Sequence, residues 1–120
     1  MAENNPHKFD FTGEEHRVKQ GAYFERSFTM NQATVDFITG KSIVCEWRKS
    51  SGATEVIKRF TLADNTIVIS GLTFTYKANA DDMDVAPGDF VYDTIAYTNA
   101  DDRAPIQYGI GLIKPKVTRI

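Results

Sequence analysis

Apolar positions in this chain recur mostly at spacing two, the period of a pleated strand with one face buried. The clearest case is SIVCEWRK. There Ile43, Cys45 and Trp47 share one face and Val44, Glu46 and Arg48 the other. An indole buries more apolar area than any other side chain in the sequence, so Trp47 is expected at the centre of the core. Upstream, AYFERSFTM sets Phe24, Phe28 and Met30 against Tyr23, Glu25, Ser27 and Thr29. Arg26 falls on the apolar face, where its stem can pack while its head reaches a sheet margin or an acid. Between these strands Asn31 and Gln32 make a break, Val35 and Phe37 start a short extended piece, and Gly40 turns the chain.

The second half repeats the alternation with more punctuation. Ser50, Ser51 and Gly52 lead into EVIKRF, an edge strand whose Lys58 and Arg59 discourage unwanted pairing. Asp64 and Asn65 form a turn before the β-branched run Thr66 to Ile69, and after Gly71 the residues Leu72, Phe74 and Tyr76 can share a face. The stretch ANADDMDV suits a single helical turn capped by Asn79 or Asp81. Pro87 and Gly88 then launch a long strand from Asp89 to Thr98, Asn99 to Asp102 break it, and a second apolar stretch runs from Ile106 until Pro115 removes a backbone donor.

About seven short strands separated by Gly, Pro, Asn and Asp predict an all-β fold, an immunoglobulin-like antiparallel β-sandwich over residues 21–120, with a Greek-key barrel as the alternative. Residues 1–20 are too polar for a core strand and are expected to form an extended N-terminal arm. Phe9 and Phe11 alternate around Asp10, so one face of the arm could add to a sheet edge, its own or a neighbour's. The expectation is that Phe9 and Phe11 dock on a partner and that the arm is loose without one; a frayed tail is the other reading.

At 120 residues one domain is expected, able to bury roughly two thirds of its unfolded surface without disulfides or metal. The net charge of −2 comes from 14 basic and 16 acidic residues spread along the chain, so there is no basic stripe for a phosphate backbone and nucleic acid is not expected as a partner. No apolar run approaches the ~20 residues of a membrane span, and the N-terminus lacks the apolar core of a signal peptide. Neither export by such a peptide nor a membrane anchor is expected.

Candidate chemistry is sparse. Cys45 is the only cysteine and alternates with Ile43 and Trp47, which suits a buried small hydrophobe; His7 and His16 lie in the arm, far from it in sequence. Asp81, Asp82, Asp84 and Asp89 could offer oxygen ligands to calcium, but the EF-hand spacing with its closing Glu is missing. The Gly109–Gly111 pair lacks the third glycine and the helix of a phosphate loop, and points instead to a bulge or a close backbone approach. No catalytic residue, metal or cofactor is therefore expected.

Three stretches in fixed order carry a resemblance: QGAYFERSFTM, FITGKSIVCEWRK, and PGDFVYD followed by KVTRI. They resemble a family of small tailed-phage structural proteins ending in Val-Thr-Arg, similar to the N-terminal domain of baseplate upper proteins, an immunoglobulin-like sandwich. The likeness spans Gln20 to Ile120 and rests on Gly21, Phe28, Gly40, Trp47, Arg48, Gly88, Phe90, Tyr92, Asp93, Gly111, Val117, Thr118 and Arg119. Thr94 and Ala96 depart from it, standing where larger aliphatic residues are usual. The resemblance implies a non-enzymatic virion protein, made in the host cytoplasm, that serves as a tail or baseplate adaptor. Its expected partners are other virion proteins and further copies of itself. Since the sequence stops soon after Val-Thr-Arg, it is not expected to be the receptor-binding element. A capsid decoration protein is the neighbouring alternative, and a carbohydrate-binding or hydrolytic module using Tyr76, Tyr92 and Tyr97 is the alternative from another class.

Overall fold

Alternating burial turns the period-two segments into strands in a computed structural model, which describes residues 7–117. In chain order the elements are β1 (His7–Lys8), α1 (Gly13–His16), β2 (Val18–Lys19), β3 (Phe24–Thr29), α2 (Gln32–Ile38), β4 (Ser42–Arg48), β5 (Lys58–Thr61), β6 (Ile67–Ser70), β7 (Thr73–Ala78), a 3-10 turn (Asp81–Met83), β8 (Gly88–Tyr97) and β9 (Ala104–Lys114). They build a β-sandwich. The large sheet runs β1-β9-β8-β4-β5, with β2 also on β9, and the small sheet runs β3-β7-β6.

Trp47 lies between the sheets as expected, 1% exposed and stacked on Phe90 with ring centroids 4.3 Å apart. Around it sit Phe11, Phe24 and Phe60, each buried, with ring centroids 5.3 to 6.0 Å from the indole. Cys45 is fully buried on the same strand face, and burial pushes its thiol up to about 12. Deprotonation there would strand a charge in an apolar interior, so the residue packs as a small hydrophobe.

The N-terminal segment differs most from expectation. The arm ending at residue 20 is not separate from the body, because residues 7–19 complete the large sheet: β1 and β2 both pair with β9, and Phe11 bridges to Gly111 between them, all in parallel register. The sheet is thus mixed rather than purely antiparallel. Phe11 and Val18 enter the core at 1% and 0% exposure. Met1 to Pro6 of the expected arm, and Thr118 and Arg119 of the terminal motif, lie outside the described residues.

Gly109 makes this closure possible, and Gly111 makes room for a core ring beside it. A Cβ on Gly109 would stand 2.0 Å from the Phe9 carbonyl oxygen, and one on Gly111 would stand 2.1 Å from the Phe90 ring. The close backbone approach expected of that pair is found at Gly109, where the N-terminal segment passes β9, while the register shift falls nearby at Thr94/Ile95.

Two further expectations change. Val35 and Phe37 belong to the helix α2, not to an extended piece: Asn31 Oδ1 caps it by accepting from Thr34 N–H at 2.8 Å, and Ile38, three residues beyond Val35, faces inward. The 3-10 turn forms where expected but has no side-chain cap; Asn79 contributes its backbone carbonyl to Met83 N–H instead. On β7 the buried face is Phe74, Tyr76 and Ala78, and Leu72 lies outside the strand, 42% exposed. β5 is an edge strand as expected.

Candidate functional site

The two residues expected to dock on a partner meet each other and the core. Phe9 and Phe11 contact edge to face at 5.0 Å, Phe9 packs on Phe28 at 4.9 Å, and Phe11 reaches Tyr92 at 5.1 Å. The Phe9 carbonyl accepts from the Tyr92 hydroxyl at 2.6 Å, and Asp10 Oδ1 accepts from Ile110 N–H at 3.1 Å. Phe11 is therefore a core residue of its own domain and is not offered to a neighbour; Phe9 is half-buried against the same cluster. Two phenylalanines that have little reason to face water found the nearest sheet edge, which was their own.

At the His7 end of the sandwich a cleft of about 310 Å³ opens between the sheets. Phe28, Met30, Phe74 and Ile106 supply its apolar lining, and Tyr76 and Gln107, 2% and 6% exposed, its buried polar groups. β7 and β8 position that amide. The Tyr76 hydroxyl donates to Gln107 Oε1, and Thr94 Oγ1 lies 2.6 Å from the same hydroxyl, so Thr94 donates to Tyr76 once the phenol proton is committed to Gln107. Burial raises the Tyr76 hydroxyl well above the ordinary tyrosine range, which keeps it a donor. Thr94, unusual in size by the resemblance, is here the residue that satisfies Tyr76. With Oε1 used, Gln107 Nε2 has no hydrogen-bond partner among the described residues.

The outer face of the large sheet forms the second surface. Tyr108 and Ile110 on β9 are 43% and 51% exposed, Val91 lies opposite Ile110, and Ile95 lies opposite Val44. Next to them a shallow hollow of about 600 Å³ is lined in part by Val44, Ile95, Tyr97, Glu46 and Arg59. Burial works against the Glu46 charge, but hydrogen bonds from Arg48, at 2.7 Å, and Arg59 outweigh it and hold the carboxyl below its usual range. Asp93, across from Glu46, is raised by burial and then by that neighbouring charge.

The remaining candidates do not come together. Asp81, Asp82 and Asp84 are exposed, with Asp84 paired to Lys116 at 3.1 Å, and among the described residues no three His, Cys, Asp or Glu side chains converge. His16 rests on the Phe9 ring at 5.0 Å and is exposed, whereas Cys45 is fully buried. Tyr76 and Tyr92 are 2% and 5% exposed, so two of the three rings of an aromatic sugar platform are unavailable. Among the described residues no helix is long and apolar enough to cross a membrane.

Sequence alone missed Gln107 and the exposed strip on β9. The strip had a signal, since Tyr108, Ile110 and Leu112 alternate as cleanly as the residues between them. Both faces of that strand carry apolar groups, and alternation does not say which face is covered. No protein-family model matches the chain, and no curated protein matches it.

Proposed function

We propose that the chain is a non-enzymatic structural protein of a tailed phage, a tail or baseplate adaptor that acts by docking and oligomerisation. The observation that supports it most is the outer face of the large sheet. On a solvated antiparallel face the outward positions are ordinarily polar, yet Val91, Ile95, Tyr108 and Ile110 occupy four of them here, beside Asp93 and Glu46. Apolar groups on both sides of Asp93, flanked by the charges of Glu46, Arg48 and Arg59, suit a protein interface of mixed character. The immunoglobulin-like connectivity and virion location implied by the resemblance belong to the same proposal.

Particles assembled with Ile110→Lys test it. The altered chain is expected to fold normally yet to be lost from the particle, while the unaltered chain is found in the tail fraction. If the unaltered chain appears in no particle fraction, the virion reading fails; if it appears in the capsid fraction, the decoration reading replaces the adaptor.

A further inference from the structure

An adaptor must hold two neighbours, and the outer face of the large sheet accounts for one. The small sheet carries a second candidate surface on its free side. Among the described residues β3 has β7 as its only strand neighbour. Met30 N–H donates to Leu72 carbonyl at 2.7 Å, which continues the β3–β7 register and makes Phe24, Arg26 and Phe28 the residues bonded to β7. The backbone groups of Glu25, Ser27 and Thr29 consequently point away from the sheet. The Glu25 carbonyl is taken by the Arg26 guanidinium at 2.9 Å, whereas the backbone groups of Ser27 and Thr29 have no partner among the described residues.

This open stretch ends at the cleft. Phe28, Thr29 and Met30 line it from β3, so a strand laid along β3 would point its inward side chains into the same gap. There Gln107, more than nine-tenths buried, holds an Nε2 donor with no partner among the described residues. Among the described residues no carboxylate, lysine or arginine lines the cleft, so a neutral group is favoured over an ion. At about 310 Å³ the space matches the lower end of ligand sites, and one large side chain suits it better than a cofactor does.

We propose that β3 and this cleft together receive an extended segment of a second protein. The segment adds as a strand to the small sheet through Ser27 and Thr29, and seats one neutral aromatic side chain with an oxygen acceptor, such as a tyrosine, against Gln107 Nε2. The proposal deepens the adaptor reading by naming a surface. Its test needs no particle, so the two can fail separately.

The probe is a capped peptide, Thr-Lys-Tyr-Lys-Thr, whose tyrosine faces inward and whose lysine N–H groups face β3. Titration of the folded protein, followed by NMR, is expected to shift the Ser27 and Thr29 amides and the Gln107 side-chain amide, and to slow hydrogen exchange at Ser27 and Thr29. N-methylation of both lysines, or replacement of the tyrosine by alanine, should each weaken binding by about tenfold or more. Thr34→Trp fills the cleft mouth from the half-exposed side of α2 and should weaken it similarly with an unchanged melting midpoint. Gln107→Met removes the donor and should cost affinity as well; if that variant does not fold, Thr34→Trp decides. Absence of shifts at Ser27 and Thr29, equal binding of the N-methylated peptide, unchanged affinity in Thr34→Trp, or equal affinity of free 4-methylphenol would each overturn the proposal.

Discussion

Phe9 and Phe11 on one side, and Tyr108 and Ile110 on the other, are alternating pairs on neighbouring strands that end in opposite environments. Phe11 is 1% exposed and Ile110 is 51% exposed, though the polar N-terminal stretch suggested a docking arm and the apolar β9 suggested core. The difference is not hydrophobicity. Phe11 closes an edge of the sandwich interior, and β9 admits its segment because Gly109 has no side chain where the Phe9 carbonyl passes. Tyr108 and Ile110 lie on the other face of the same strand, where no part of the described chain covers them. Burial of an apolar side chain in a strand is decided by what its face meets, and its own sequence context is a weak guide.

The largest expected effect falls on the buried member of the comparison. Phe11→Ala should destabilise the domain by about 3–5 kcal/mol, similar to Trp47→Ala, because each leaves a cavity among rings that cannot all close in. Denaturant unfolding measures this; a Phe11→Ala protein with an unchanged midpoint would return the residue to a free arm. Gly109→Ala should cost about 1–3 kcal/mol, since the added carbon meets a backbone carbonyl that can move only with its whole segment. The same variant should expose the segment to trypsin at Lys8, Arg17 and Lys19, sites that are slow in the parent protein.

Tyr108→Lys and Ile110→Lys should stay within about 0.5 kcal/mol of the parent, as substitutions on an exposed face that break no internal contact. A loss like that of Phe11→Ala would mean that the outer face is part of the core. The smallest effect sharpens the hairpin that presents the strip. Asp102 Oδ1 accepts from Asn99 N–H at 2.9 Å and from Thr98 N–H at 2.7 Å, and these bonds hold its carboxyl down to about 2. A carboxylate lowered in the folded state supports the β8–β9 turn fully above its ordinary value of 3.8 and loses that support as pH falls through about 2. A carbon-detected pH titration of Asp102 should find its midpoint below that of an unconstrained aspartate, and Asp102→Ala should make the turn amides exchange faster with little change in global stability.

Much of the fold was legible because it is local. Ile43, Cys45 and Trp47 needed only their own alternation to declare an inward face, and Pro87, Gly88 and the Asn99–Asp102 stretch declared the limits of the long hairpin. α2 was not legible from Val35 and Phe37, because seven residues carry too few turns to separate a helical period from a broken strand; the Asn31 cap was the better signal. The cleft was less legible still. Gln107, Tyr76 and Thr94 come from three strands, and nothing in the spacing of 31 residues between Tyr76 and Gln107 states that they share a hydrogen bond.

The sequence by itself determined that this is a sheet protein with Trp47 at its centre, edge residues at Lys58 and Arg59, and a pair of glycines that mark a bulge or a close approach. Those features follow from pleat geometry, side-chain size and backbone freedom within a few residues. Only the tertiary structure decided that the approaching backbone is the protein's own N-terminal segment, that Phe11 is core while Ile110 is surface, and that one amide donor has no partner among the described residues beside a strand edge they leave open. Each of these depends on which distant segment arrives at a given face, and that depends on the register and packing of the whole sandwich, beyond the reach of any local pattern.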